Sequence, residues 1–321
     1  MSILVYIEQD QGKIKTSSLE AVSYAAGLAQ LQEVKVNVIG LGSIASEGWD
    51  QVGLAGANAI FHLEDKRLDQ GVIQAHADAI AQVFDKVAAS TLVLAKSSLG
   101  DAVAARLAIK LDAGLVSNVV GLPDLSNGFV VKRSIFTGKA FAETTISAEK
   151  KILAVKKNIH PIKTDGEVID VEPLDLTISD EKFTAKITGA EKAEGEILLP
   201  EADIVVSGGR GLKGSENWNM IEELADSLHA AKGCSKPVSD LGWRPHHEHV
   251  GQTGVKVAPT LYIAIGISGA IQHLAGVNAS KYIVVINNDP DAPFFKAADY
   301  GIVGDAFDVV PKLTQAIKAL K

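Results

Sequence analysis

The sequence predicts an α/β protein of two domains, each a mainly parallel sheet flanked by helices. Three observations carry this. Short apolar runs alternate with helix-compatible segments from Ser2 to Leu111. The same alternation resumes at Ala202, with glycine-rich or polar stretches directly after each run. Between the two series lies Pro161 to Glu196, a stretch of different composition. Strand, helix and strand again implies crossover connections, and therefore parallel pairing. A chain of 321 residues suits two domains. With 47% hydrophobic and 22% charged residues it can fill two cores.

Ser2 to Glu8 reads as the first strand, Ser17 to Leu31 as a helix, and Val34 to Leu41 as the second strand. Ala59 to Leu63 is a short third strand. Val72 to Val87 is helical and Thr91 to Ala95 is the fourth strand. Gly100 to Leu111 is an alanine-rich helix, with Asp101 placed where a carboxylate suits the helix dipole. From Ser117 to Val155 the period changes to two, with Gly128 and Gly138 at turn positions, which reads as added or antiparallel strands on the same sheet. Pro161 to Glu196 is rich in Lys, Glu, Asp and Thr. Its alternating segments, Val168 to Val171 and Phe183 to Ile187, read as an extended connection and an edge hairpin. The boundary is placed between Lys192 and Pro200, giving domains 1–195 and 196–321.

The second domain opens with a strand at Ala202 to Val206. It runs into Ser207-Gly208-Gly209-Arg210-Gly211-Leu212-Lys213-Gly214, where Gly209, Gly211 and Gly214 fit G-x-G-x-x-G. Met220 to Leu228 follows as a helix. Glycines let a phosphate approach the backbone, a helix N-terminus offers free N–H groups, and Arg210 adds a fork of donors. The alternatives are a structural glycine turn and a surface ion pair from Arg210 to Glu216 or Glu222. Leu261 to Ile265 is the next strand, broken at Gly266-Ile267-Ser268-Gly269 and followed by helix-compatible residues to Leu274. Tyr282 to Ile286 and Tyr300 to Val303 are further strands, ending in Asn287-Asn288-Asp289-Pro290 and Gly304-Asp305. Polar residues thus gather where strands end, and ligands of such sheets bind there, so a Rossmann-like nucleotide domain is expected.

A net charge of −8 argues against nucleic acid as a main partner. Cys234 is the one cysteine, so no intrachain disulfide forms. No leader pattern opens the chain, and no apolar stretch reaches the roughly 18 residues of a membrane helix. A bacterial-type cytoplasmic protein without membrane insertion is expected, a mature mitochondrial matrix protein being the alternative.

The runs SGGRGLKGSENW, VGQTG, GISGAIQHLAG and YGIVGD occur here in the order and spacing of the electron transfer flavoprotein alpha subunit, which the chain resembles from about Ala202 to Lys321. The first domain resembles that family in layout only. The resemblance implies an electron carrier, not an enzyme. One FAD would sit in this second domain, and the first domain would pack on a beta subunit that holds AMP or a second FAD. Electrons would come from flavin dehydrogenases such as acyl-CoA dehydrogenases and pass to a quinone reductase.

The resemblance also assigns roles. Arg210 would reach the FAD phosphates and Ser235 would lie beside the pyrophosphate. Lys236 stands where the family has an arginine against the isoalloxazine. Lysine keeps the charge and loses the planar fork. Val250, Gly251, Gln252 and Thr253 match the loop that meets the ring, with Thr253 near N5. Ser268, Gly269, Ala270, Ile271 and Gln272 match the helix-start motif, and His273 would approach the N1–C2 edge as an imidazolium or N–H donor. Asn287, Asp305 and Ala306 match positions around the adenosine. Read without the resemblance, Gly251 to Gly254 is a plain turn, His273 a satisfied helix histidine, and Asn287 and Asp305 are turn caps.

His246-His247-Glu248-His249 looks like a metal cluster but lacks the further ligands of a zinc site. Ser207 and Ser268 lack the G-x-S-x-G setting of a hydrolase nucleophile. Three alternatives stay open: an electron-bifurcating NADH-linked complex, an NAD(P)-dependent oxidoreductase, and a nucleotide-binding adaptor with a decayed site. The second would need an acidic ribose ligand about 20 residues after the fingerprint, and Asp240 lies later, after Pro237.

Overall fold

A computed structural model describes residues 1–138, 140–185, 187, 197–200 and 202–320. The chain divides into two compact units, Met1–Ala190 and Glu191–Lys321. The boundary expected between Lys192 and Pro200 falls largely outside the described residues.

The first unit is built on one sheet. Its strands lie in the order Val171–Pro173, Ala59–Leu63, Lys35–Leu41, Ser2–Ile7, Ala89–Ala95, Lys151–Val155, Gly114–Val119, Val130–Ile135 and Ala140–Thr145. Pairing is parallel from Val171–Pro173 to Gly114–Val119 and antiparallel beyond. Ser2–Ile7 is buried along its whole length because helices cover both faces. The helix Thr16–Gln32 puts Tyr24 and Leu28 on one face. The helices Ile73–Lys86 and Ser98–Leu111 put Phe84 and Leu107 on the other. At the carboxyl end of Ser2–Ile7, where strand order reverses, the crevice holds the chain's own buried Glu8 carboxylate, which accepts from Ser97 Oγ and pairs with Lys15 Nζ at 3.5 Å.

The expected edge hairpin in Pro161 to Glu196 is corrected. Val171–Pro173 adds to the sheet as a single parallel strand beside Ala59–Leu63. Pro173 is tolerated there because the strand lies at the sheet edge, and Leu174 N–H still donates to His62 O at 2.8 Å. Asp180–Phe183 forms a 3₁₀ turn, and Lys186, inside the second predicted segment, is outside the described residues.

The second unit has five parallel strands in the order Ala231–Cys234, Ile204–Gly208, Leu261–Ile265, Tyr282–Asn287 and Tyr300–Val303. Numbered along the chain this is 2-1-3-4-5, the flavodoxin-like form of the doubly wound sheet. The strand Ala231–Cys234 carries too little apolar sequence to announce itself. Helices Asn219–Leu228 and Ala306–Ala319 cover one face, with Ile221, Leu224 and Val310 in the core. The short helix Ile271–Val277 and Phe294 cover the other. Strand order reverses between Ile204–Gly208 and Leu261–Ile265, so the crevice of the fold opens at their carboxyl ends.

Candidate functional site

Topology alone brings the predicted positions to one rim. Arg210 follows Ile204–Gly208, Ser235 follows Ala231–Cys234, Ser268 to His273 follow Leu261–Ile265, Asn287 ends its strand, and Asp305 with Ala306 follow Tyr300–Val303. Because all five strands are parallel, these are carboxyl ends on one side of the sheet. The Val250 to Thr253 loop is tied to the same rim by Val250 N–H donating to Cys234 O (2.9 Å) and Gln252 N–H donating to Gln272 O (2.7 Å).

The glycine turn does a different job from the one its pattern suggests. Gly209 N–H donates to Ile265 O at 2.8 Å and Gly211 N–H to Gly266 O at 3.0 Å. Those amides are spent on the neighbouring strand and are not free for a phosphate. A Cβ on Gly209 would stand 2.1 Å from Gly266 O, so the glycines allow two loops to cross backbone on backbone. The chain then makes 3₁₀ turns at Arg210–Leu212 and Ser215–Asn217 before the helix Asn219–Leu228. The helix expected over Met220 to Leu228 is thus present but begins at Asn219, beyond the turn, so its N-terminal amides do not start at the glycines. Arg210 itself is exposed and has no ion pair among the described residues, Glu222 being paired instead with Arg244 at 3.1 Å.

Ser235 is buried, its N–H donates to Gly208 O at 3.0 Å, and its Oγ has no hydrogen-bond partner. Lys236, Gln252, Thr253, Ser268, Ala270, Ile271, Gln272 and Asp305 are exposed. Gly269 is buried at φ +83°, a left-handed position suited to glycine, where a Cβ would lie 2.5 Å from Phe294. Asn287 is buried and braces two loops: its Nδ2 donates to Ile267 O (3.0 Å) and its Oδ1 accepts from Asp289 N–H (3.1 Å). Asp305 caps the last helix through Phe307 N–H at 2.9 Å, leaving its second oxygen outward, 4.0 Å from Lys213 Nζ. Val250 and Ala306 pack into the cores.

His273 is 7% exposed, and its Nε2 lies 2.8 Å from Tyr262 Oη. Its Nδ1 is buried without a hydrogen-bond partner. Burial pushes its pKa down to about 4, with His249 adding to the effect and the Val250 carbonyl opposing it. At neutral pH the ring is therefore uncharged, so of the two forms expected for it, imidazolium or N–H donor, the second applies. Burial also raises the Tyr262 phenol, so it stays protonated. The Cys234 thiol is pushed up to about 12 by burial, which suits an inert packing residue. Within His246 to His249, Glu248 is buried and bonded by Arg244, while His249 is buried beneath the Val250 loop with Nδ1 unpartnered. Sequence reading missed Tyr262, which sits inside an apolar strand, and Gly276, whose place in HLAG carried the only signal.

The electron transfer flavoprotein domain profile matches residues 3–194, and the electron transfer flavoprotein FAD-binding domain profile matches residues 198–278. The electron transfer flavoprotein subunit alpha of Mycobacterium tuberculosis is 38% identical over 99% of this chain and 99% of its own. That of Thermoanaerobacterium thermosaccharolyticum is 36% identical over 99% and 98%.

The chain belongs to the electron transfer flavoprotein alpha-subunit family.

The subunit of that name from Bacillus subtilis is 35% identical over 99% of this chain and 98% of its own. As an electron transfer flavoprotein alpha subunit the chain is an electron carrier, and its second unit is the FAD-binding domain. The residues present fit that group. Two buried polar atoms on the rim, Ser235 Oγ and His273 Nδ1, have no hydrogen-bond partner among the described residues and are of the kind a bound nucleotide satisfies. Among the described residues no helix is long and apolar enough to cross a membrane.

Proposed function

We propose that the rim of the second unit holds FAD with its phosphates toward Arg210 and Ser235, its adenosine toward Asn287 and Asp305, and its ring toward Thr253 and His273. The chain then works as one half of a heterodimer with a beta subunit that carries AMP or a second FAD. It takes electrons from flavin dehydrogenases such as acyl-CoA dehydrogenases and passes them to a quinone reductase, in a bacterial-type cytoplasm. Full-length similarity to bacterial alpha subunits supports this setting.

The observation that carries the reading is the pair of buried, unpartnered polar atoms on one rim. Each costs about 1–3 kcal/mol when left unmet, and a nucleotide meets both. Bound FAD supplies reversible electron uptake; the protein supplies position and charge. Arg210, free of ion pairs among the described residues, neutralises phosphate oxygens. The exposed Lys236 places a cation on the rim that favours negative charge on a nearby ring. Neutral His273 offers an N–H rather than a fixed charge.

Co-expression with the beta partner tests this directly. A yellow complex with FAD bound to this chain is expected, and Arg210→Ala removes most of the rise in Tm on adding FAD. A colourless complex that takes up no flavin would sink the reading.

A further inference from the structure

We propose that Tyr262 is a positioning residue that acts through His273. Its phenol donates to His273 Nε2, fixes the ring proton on Nδ1, and so makes Nδ1–H the donor that the cofactor meets. The proposal rests on the FAD reading above and adds to it the residue that decides which hydrogen bond the histidine can make.

The geometry leaves little choice of direction. Tyr262 is 0% exposed and His273 is 7% exposed, and their polar atoms stand 2.8 Å apart, within a short neutral hydrogen bond. One of the two must donate. If His273 Nε2 carried the proton, Tyr262 Oη would accept it, and the phenolic proton would need a second acceptor. The other polar side chain beside it is Ser207, which acts on the phenol and favours its ionised form, but whose buried Oγ meets no partner at full hydrogen-bond distance and angle. A phenol proton stranded at such depth costs about 1–3 kcal/mol. Donation from Oη to Nε2 avoids that cost and leaves a neutral ring with its proton on Nδ1.

The surroundings hold this arrangement still. Phe294 stacks on Tyr262 with ring centroids 6.3 Å apart and meets His273 edge-on at 5.7 Å. The same Phe294 fills the space under Gly269 and donates its N–H to Ser268 O at 3.0 Å, tying both rings to the loop that starts the helix. The Val250 carbonyl favours a proton on the His273 ring. It closes no hydrogen bond to Nδ1, which stays unpartnered. His249, which also acts on this ring, is buried too, and its Nδ1 makes no hydrogen bond among the described residues. A buried N–H that the Val250 carbonyl faces, and that closes no hydrogen bond among the described residues, is thus left for a carbonyl of the ligand.

The test uses the FAD-loaded heterodimer with ¹⁵N-histidine. In the wild type, long-range ¹⁵N–¹H spectra are expected to show His273 as the Nδ1–H tautomer. Tyr262→Phe keeps the ring and removes the donor. It is expected to shift His273 toward Nε2–H and to weaken preference for reduced over oxidised flavin about tenfold, a fall of about 30 mV in two-electron midpoint potential. In a His273→Gln background the same change is expected to move the potential no further, which a packing role for Tyr262 would not produce. An Nε2–H signal in the wild type overturns the proposal, and that spectrum needs no variant to fold. So does an unchanged tautomer in Tyr262→Phe, or an equal shift in the His273→Gln background. A complex without flavin would instead count against the FAD reading itself.

Discussion

A Cβ on Gly276 would stand 2.5 Å from Gly251 Cα, so the helix Ile271–Val277 and the Val250 to Thr253 loop touch backbone to backbone. Val257 N–H donating to Gly276 O at 2.9 Å seals the same contact. Neither partner has a flexible side chain to move aside. Gly276→Ala is therefore expected to displace the loop that carries Thr253, costing about 1–3 kcal/mol as overpacking does. The measurement is FAD affinity and Tm of the heterodimer. Affinity is expected to fall by about tenfold or more, and unchanged affinity would show that the loop does not contact the cofactor.

Gly209→Ala probes the other glycine contact. Its Cβ would meet Gly266 O at 2.1 Å, and Gly266 cannot retreat because it sits at φ +62° against Gly211. Both loops belong to the strands that flank the switch point. A loss of about 2–3 kcal/mol in unfolding free energy is expected by chemical denaturation. A phosphate cradle would predict the reverse weighting, weak binding with stability intact.

The contrast between these glycines shows what the sequence makes legible. Alternating apolar runs announced the parallel sheets, because strand burial on both faces leaves that signature in composition. The strand Ala231–Cys234 left none, being short and held at an edge by one neighbour. The rim positions were legible because polar residues directly follow strands. Their division of labour was not. The G-x-G-x-x-G pattern is satisfied both by a phosphate site and by two crossing loops, and only the partners of the Gly209 and Gly211 amides separate the cases. Tyr262 looked like core because it is core; its hydroxyl matters through His273, a partner 11 residues away whose proximity depends on the helix returning over the strand.

Arg244 is the support of the His246 to His249 stretch. Its Nε donates to Glu248 at 2.8 Å, a second nitrogen meets the other Glu248 oxygen at 2.5 Å, and a third reaches Glu222 at 3.1 Å. The guanidinium also lies 5.5 Å from the Trp218 ring centroid. The Glu248 side chain is 4% exposed, so Arg244→Ala strands a buried carboxylate. A loss of about 3 kcal/mol is expected from removing one partner of such a pair. Glu222→Gln, which touches the more exposed arm, is expected to cost less than about 1 kcal/mol. Denaturant midpoints of the two variants check the order, and equal effects would contradict it.

Acidification provides the last test. His273 is held at about 4 in the fold, against an ordinary value of 6.5. Between these pH values the unfolded chain binds a proton that the folded chain refuses. Its contribution is therefore complete above about pH 6.5 and is lost as pH falls toward 4, by up to about 3 kcal/mol. Burial lowers His76 and His249 as well, and both act in the same direction. Unfolding free energy measured from pH 7.5 to 5 is expected to fall steadily. His273→Gln should flatten the slope by about one proton's share, since the amide does not titrate. A slope identical in that variant would mean that His273 takes up its proton as readily folded as unfolded, and the neutral donor assigned to the cofactor would go with it.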